Sequence, residues 1–278
     1  MDVTILRVDG DKVSFILRGV DAAMANALRR AMIAEVPTMA IEDVMILENT
    51  SPMYDEILAH RLGLIPLTTD LDSYNLPEEC SCGAELGCSR CRATLTLEAE
   101  ADGGARTIYS GDLEPQDPRI HPVSPGIPLV KLAPGQKIKL EAYARLGRGR
   151  EHAKWQPVSA CAYKYYPIIT VDDEICNACG RCVEYCPKKI LAVEDGRLRV
   201  SEELKCTMCS ECVRHCPKDP PGIRISWDDT TFIFNVESTG SLRIDRIIVE
   251  AARILAEKVE NLKNLMSNRL EGEPDAEA

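Results

Sequence analysis

Cys176-Asn177-Ala178-Cys179-Gly180-Arg181-Cys182-Val183-Glu184-Tyr185-Cys186-Pro187 is the most informative stretch of this 278-residue chain. It is followed thirty residues on by Cys206-Thr207-Met208-Cys209-Ser210-Glu211-Cys212-Val213-Arg214-His215-Cys216-Pro217. Each copy reads Cys-x2-Cys-x2-Cys-x3-Cys-Pro, the bacterial iron–sulfur ligand run, in which the fourth cysteine ligates the other cluster of a two-cluster module. Three cysteines at intervals of three fit a tight loop around one face of a cluster. The fourth follows on a helical turn, and proline turns the chain away. The expected grouping is Cys176, Cys179, Cys182 and Cys216 around one [4Fe–4S] cluster, and Cys206, Cys209, Cys212 and Cys186 around a second, either of which could be [3Fe–4S]. Disulfides or zinc are the blander readings of these thiols, and two complete motifs argue against both.

Working outward, the module spans about residues 168 to 226. Each half is expected to be a loop, a short helix and a strand, with Glu194-Asp195-Gly196 as the turn between Leu191–Val193 and Leu198–Val200. Upstream, Cys80-x-Cys82-x5-Cys88-x2-Cys91 sits in a loop with Gly83 and Gly87. Four thiolates this close in sequence can enclose a tetrahedral zinc ion, with free thiols or disulfides as alternatives. Cys161 stands alone and reads as a packed thiol.

The flanks supply the frame. Val3 to Leu17 alternates as two short strands about an Asp9-Gly10-Asp11 turn. A helix follows, capped by Asp21 and stopped by Pro37, with Val20, Met24, Ala27, Leu28, Ala31 and Met32 as its apolar stripe. Another short helix closes at Gly63. Residues 103–150, rich in glycine and proline, predict a β-rich subdomain with strands near Arg106–Ser110 and Gln136–Arg145. Thr231–Glu237 alternates as a strand. A long helix is expected from Arg243 to Asn268, with Ile244, Ile248, Ala251, Leu255, Val259, Leu262 and Met266 in a near-heptad seam. Six turns of seam exceed what so small a core can cover, which predicts a partner helix. The acidic tail, residues 269–278, is expected to be disordered.

Composition excludes several functions. Net charge is −11, so wholesale binding to a polyanion is disfavoured and no direct DNA contact is expected. No apolar run reaches the roughly 18 residues of a membrane span. The start, Met1-Asp2-Val3-Thr4, has no basic segment ahead of an apolar run. Thirteen cysteines without a leader point to metal ligation in a reducing cytoplasm. Asp70-Leu71-Asp72 lacks a third carboxylate at Tyr74, so the constellation for two-metal phosphoryl chemistry is missing. Gly147-Arg148-Gly149-Arg150 invites a phosphate-binding reading but lacks a Walker lysine–serine pair. His60 and Arg61 have no nucleophile or acid near them in sequence and read as structural.

Asn26-Ala27-Leu28-Arg29-Arg30, Pro37-Thr38-Met39-Ala40-Ile41-Glu42, the Glu56–Pro66 segment and Glu151-His152-Ala153-Lys154-Trp155-Gln156-Pro157 occur in that order. Together they resemble the α-type subunits of DNA-dependent RNA polymerase, and most nearly the archaeal, D-type members that carry a ferredoxin-like insertion. The resemblance implies an α+β fold with a discontinuous dimerisation domain (1–44 and 227–268). An inserted β-rich domain (45–167) and the ferredoxin-like domain (168–226) lie between its two parts. It implies a non-catalytic assembly subunit of a nucleotidyltransferase complex, pairing with the small subunit L. On that pair the large catalytic (B-type) polypeptide assembles, alongside the small subunits N and P. The interface would use the first and last helices, with Leu28, Ile248, Leu255 and Leu262, and Arg29 and Arg30 would place the large polypeptide. Cys80 to Cys91 fall where the eukaryotic relative carries a zinc loop, with the third cysteine displaced by a longer spacing. The rival reading is a ferredoxin-type electron-transfer subunit of an oxidoreductase. Against it, the rest of the chain lacks a dinucleotide fingerprint.

Overall fold

The computed structural model of the chain describes residues 1–84 and 87–270. In chain order the strands and helices are β1 (Asp2–Asp9), β2 (Lys12–Arg18), α1 (Ala22–Ala34), β3 (Pro37–Asn49), α2 (Asp55–Gly63), β4 (Ala93–Glu100), β5 (Arg106–Tyr109), β6 (Glu114–Pro115), β7 (Pro128–Leu132), β8 (Lys137–Arg148), β9 (Val158–Val171), α3 (Arg181–Glu184), β10 (Leu191–Glu194), β11 (Arg197–Val200), α4 (Glu211–Arg214), β12 (Ile223–Ser238) and α5 (Ile244–Leu270). The fold is α+β, as the resemblance implied. Gly10, at φ +55°, makes the turn between β1 and β2. The Asp21 carboxylate caps α1 by accepting the Met24 N–H at 2.8 Å.

Contacts divide the chain into two compact units. The first comprises residues 1–7, 14–25 and 162–234. It holds most of a four-stranded sheet in the order β1-β2-β12-β9, together with the β10–β11 hairpin. Its aromatic residues interlock: Phe15 stacks on Phe234 with ring centres 5.0 Å apart, and Tyr163 meets Phe232 edge-on at 5.3 Å. A separate small core gathers Cys182, Ile190, Leu191, Leu198, Cys206, Cys212 and Ile223.

Among the described residues, the second unit comprises 8–13, 26–161 and 235–270. It contains a sheet in the order β3-β8-β4-β6 and a two-stranded sheet of β5 and β7. Leu95, Leu97, Leu140 and Ala142 alternate inward from β4 and β8, and Leu58 and Leu62 of α2 join the same core. β8 runs through Arg148 because its last residues pair with the start of β3, Pro37 opposite Arg148 and Thr38 opposite Gly147. A Cβ at Gly147 would fall on the Trp155 ring, which is buried. Gly147→Ala should therefore cost about 1–3 kcal/mol through overpacking. That cost appears as a lower midpoint in denaturant unfolding, and an unchanged midpoint would mean the indole is free to move.

Two expectations need correction. On α1 the buried positions are Ala25, Leu28, Ala31 and Met32, while Met24 is exposed and Ala27 only half-buried. The apolar stripe is therefore rotated from the one expected. Composition predicts disorder from residue 269 onward, yet α5 continues to Leu270. The tail beyond it lies outside the described residues.

Candidate metal centres and docking surfaces

The two cysteine motifs repeat in backbone as well as in sequence. Ala178 and Met208 have φ of 53° and 55°, and Gly180 and Ser210 have φ of 78° and 62°, so both loops make the same pair of left-handed turns. Three of those four residues are not glycine, and such conformations cost about 1–3 kcal/mol each and persist only where the surroundings impose them. α3 and α4 start immediately after these turns and carry Cys182 and Cys212 inward, where both are buried. Cys179 and Cys209 are exposed, while Cys176, Cys186 and Cys216 are half-buried and Cys206 is buried.

Cys186, from the first motif, lines one cavity with Cys206, Cys209 and Cys212 from the second, and Ile169 and Ile225 contribute to its walls. Four sulfurs within an apolar wall are the donor chemistry of an iron–sulfur cluster. The other set has a different signature. Burial raises the Cys182 thiol above its ordinary pKa, and the neighbouring charges of Cys176, Cys179 and Cys216 push it the same way. The Cys212 thiol is raised to about 11, by burial and then by Cys206. Metal ligation would have to draw protons from both.

Cys80, Cys82, Cys88 and Cys91 place their sulfur atoms within 4.8 Å of one another. Cys80 to Cys88 is 3.7 Å, and Cys82 to Cys91 and Cys88 to Cys91 are each 3.8 Å. Ligands on a tetrahedron at the zinc–sulfur distance of about 2.3 Å stand about 3.8 Å apart, so these thiols fit a tetrahedral ion. They are also electrostatically unlike one another. Cys91 is raised to about 12 by burial, whereas the Arg90 N–H lowers Cys88 to about 7. Arg92, the next residue after Cys91, lays its guanidinium over the Tyr143 ring at 4.4 Å.

α5 changes character along its length. Ile244, Ile247 and Ala251 are buried, and ion pairs of 2.8 Å join Arg246 to Asp72 and Lys258 to Glu35. Beyond Lys258, Val259, Leu262, Leu265 and Met266 are 67, 59, 63 and 57 % exposed. Of the interface residues named from the sequence, Leu28 is buried, Ile248 and Leu255 are half-buried, and Leu262 is exposed. Arg29 is half-buried and bonds Asn26 Oδ1 at 2.9 Å, while Arg30 is exposed. On β1, Val3, Ile5 and Val8 are bare as well.

Other candidates resolve into structure. Arg61 donates to the Pro128 carbonyl at 2.6 Å. The arginines of the glycine-containing loop are neutralised, Arg148 by Glu78 and Glu79 and Arg150 by Glu35. Burial raises the Cys161 thiol to about 11, as suits a packed side chain. Sequence reading missed Lys164, which reaches a cysteine loop from a separate strand, and the stack of Tyr185 on His215, 3.6 Å between ring centres. The thirty-residue repeat could have found that stack, because the two rings occupy equivalent positions beside Cys186 and Cys216. No sequence signal marks Lys164.

Residues 14–259 match the RNA polymerase Rpb3/Rpb11 dimerisation domain, and the chain belongs to that family. Similar curated proteins are each named DNA-directed RNA polymerase subunit Rpo3. That of Methanosphaera stadtmanae is 42 % identical, covering 96 % of this chain and 99 % of its own length. That of Methanosarcina acetivorans is 44 % identical over 94 % and 97 %. That of Pyrococcus furiosus is 40 % identical over 94 % and 95 %. The α-type resemblance drawn from the motifs therefore holds, and with it the non-catalytic character of the subunit. No helix among the described residues is long and apolar enough to cross a membrane.

Proposed function

We propose that the chain is the assembly platform of an archaeal DNA-directed RNA polymerase, acting in the cytoplasm. It pairs with the small subunit L through the first and last helices. The pair receives the large catalytic (B-type) polypeptide and the small subunits N and P, with Arg29 and Arg30 helping to place the large one. In this reading residues 1–44 and 227–268 form the dimerisation domain, 45–167 the β-rich insertion and 168–226 the ferredoxin-like domain. The observation that carries it is the bare apolar end of α5, on a helix whose first turns are buried. Exposed apolar side chains at that spacing need a partner to remove them from water.

The eight cysteines of the paired motifs would hold two [4Fe–4S] clusters that stabilise the ferredoxin-like domain, and Cys80, Cys82, Cys88 and Cys91 a zinc ion. Metal binding then supplies folding energy that a small core cannot. Loss of a cluster on oxidation would loosen that domain and weaken the larger assembly while leaving the L pair intact. Anaerobic purification of the tagged chain from its native source tests this, with counts of iron, sulfide and zinc. Large polymerase subunits should co-purify, with about eight irons per chain. Recovery with a flavoprotein or hydrogenase instead would replace this reading by the electron-transfer one.

A further inference from the structure

We infer that Lys164 is the positioning residue of the second cysteine set, a cationic strap that ties the Cys206–Cys212 loop to strand β9. Tyr163 and Tyr165 leave β9 on one face, where both meet Phe232, with ring centres 5.3 and 5.1 Å away. Successive side chains on a strand point to opposite faces, so Lys164 leaves on the other. There its Nζ donates to the Leu204 carbonyl at 2.6 Å and to the Cys206 carbonyl at 2.7 Å. Those carbonyls bracket the end of the helical turn Glu203–Lys205, which delivers Cys206. A second tie reinforces the first: the Ile169 N–H, also on β9, donates to Glu203 Oε1 at 2.9 Å. Ile169 itself lines the cavity that Cys186, Cys206, Cys209 and Cys212 share.

The first loop is anchored by other means. Asp172 caps it with its own carboxylate, accepting from Glu174 N at 3.0 Å, and its carbonyl accepts the Cys176 N–H at 2.8 Å. Gly222 packs against the Cys176 backbone, leaving a Cβ at that position only 2.9 Å from Cys176 N. The two loops match in winding and differ in attachment. The second hangs from a charged side chain borrowed from a strand of the sheet.

Two consequences follow for a group bound by these thiols. Charge-assisted hydrogen bonds hold the Cys206 backbone in place, so losing them should loosen one ligand set and spare the other. A fixed cation beside an anionic cluster also favours the reduced form, so removing it should lower that cluster's potential. This rests on the two-cluster reading above, and the test separates the two.

The full chain is purified anaerobically as wild type, Lys164→Met, Lys164→Gln and Lys164→Arg. Iron release to a chelator and the reduction potentials are then followed. In Lys164→Met about half the iron, one cluster's worth, should leave about tenfold faster, the rest at the wild-type rate. The faster-leaving cluster should also have a lower potential, and Lys164→Arg should restore both. Lys164→Gln, which keeps a neutral donor, should fall between and serves as the readout if Lys164→Met does not fold. A wild-type chain without iron and sulfide refutes the two-cluster reading. A loaded wild type with Lys164→Gln or Lys164→Met releasing at the wild-type rate, or with all the iron accelerated equally, refutes the role of Lys164.

Discussion

Val259→Asp combined with Leu262→Asp should weaken the proposed pairing with the small subunit at least a hundredfold while leaving the isolated chain as stable as before. Both side chains lie on the last turns of α5, 67 and 59 % exposed, beyond the ion pair that fastens Lys258 to Glu35. Substitutions at exposed sites away from caps and networks stay within about 0.5 kcal/mol in the monomer. Within an interface the same changes remove two apolar anchors and bury carboxylates without partners. Central positions of this kind are worth roughly 2–4 kcal/mol each. Every 1.4 kcal/mol is about tenfold in affinity, so the double variant should bind at least a hundredfold more weakly. Titration calorimetry with the purified small subunit measures this directly, and thermal unfolding of the isolated variant serves as the control. Undiminished affinity would show that the end of α5 lies outside the interface.

Changing Cys176, Cys179 and Cys182 together to serine should leave that pair intact but reduce recovery of complete polymerase several-fold. The reason lies in the composition of the small core. Of its seven buried residues, Cys182, Cys206 and Cys212 are thiols, leaving Ile190, Leu191, Leu198 and Ile223 as the apolar remainder. Fully burying an aliphatic side chain contributes about 1.5–3 kcal/mol. Against that stand the left-handed turns at Ala178, Met208 and Ser210 and the ordering of two loops. The balance is narrow, so on the proposed two-cluster reading this lobe should open when Cys176, Cys179 and Cys182 are removed. Co-expression with the other subunits, followed by gel filtration, compares the yields of pair and full assembly. Wild-type recovery of the full assembly would show that the proposed clusters have no part in building it.

These two results probe features that are legible to different degrees. The Asp9-Gly10-Asp11 turn, the Asp21 cap and the end of α2 at Gly63 are readable because each depends on residues within a few positions of one another. The thirty-residue repeat is readable for the same reason, and the αL turns at Ala178 and Met208 bear it out in the backbone. The rotated stripe of α1 is not, since Met24 and Ala25 both suit an apolar face and only the surrounding fold selects Ala25 for burial. Nor could periodicity say where the α5 seam passes from buried to bare.

The chain's own order therefore determined the thirty-residue cysteine repeat, the Asp21 cap and the helix at its C-terminal end, because cysteine spacing, capping and side-chain period are local properties. Tertiary structure decided the rest. It drew the sulfurs of Cys80, Cys82, Cys88 and Cys91 within 4.8 Å, set Cys186 in one cavity with the cysteines of the other motif, and put the Lys164 ammonium on the Cys206 carbonyl. Such meetings join residues as many as 42 positions apart in the case of Lys164 and Cys206. They depend on how strands and loops pack, which the spacing of residues along one segment does not encode.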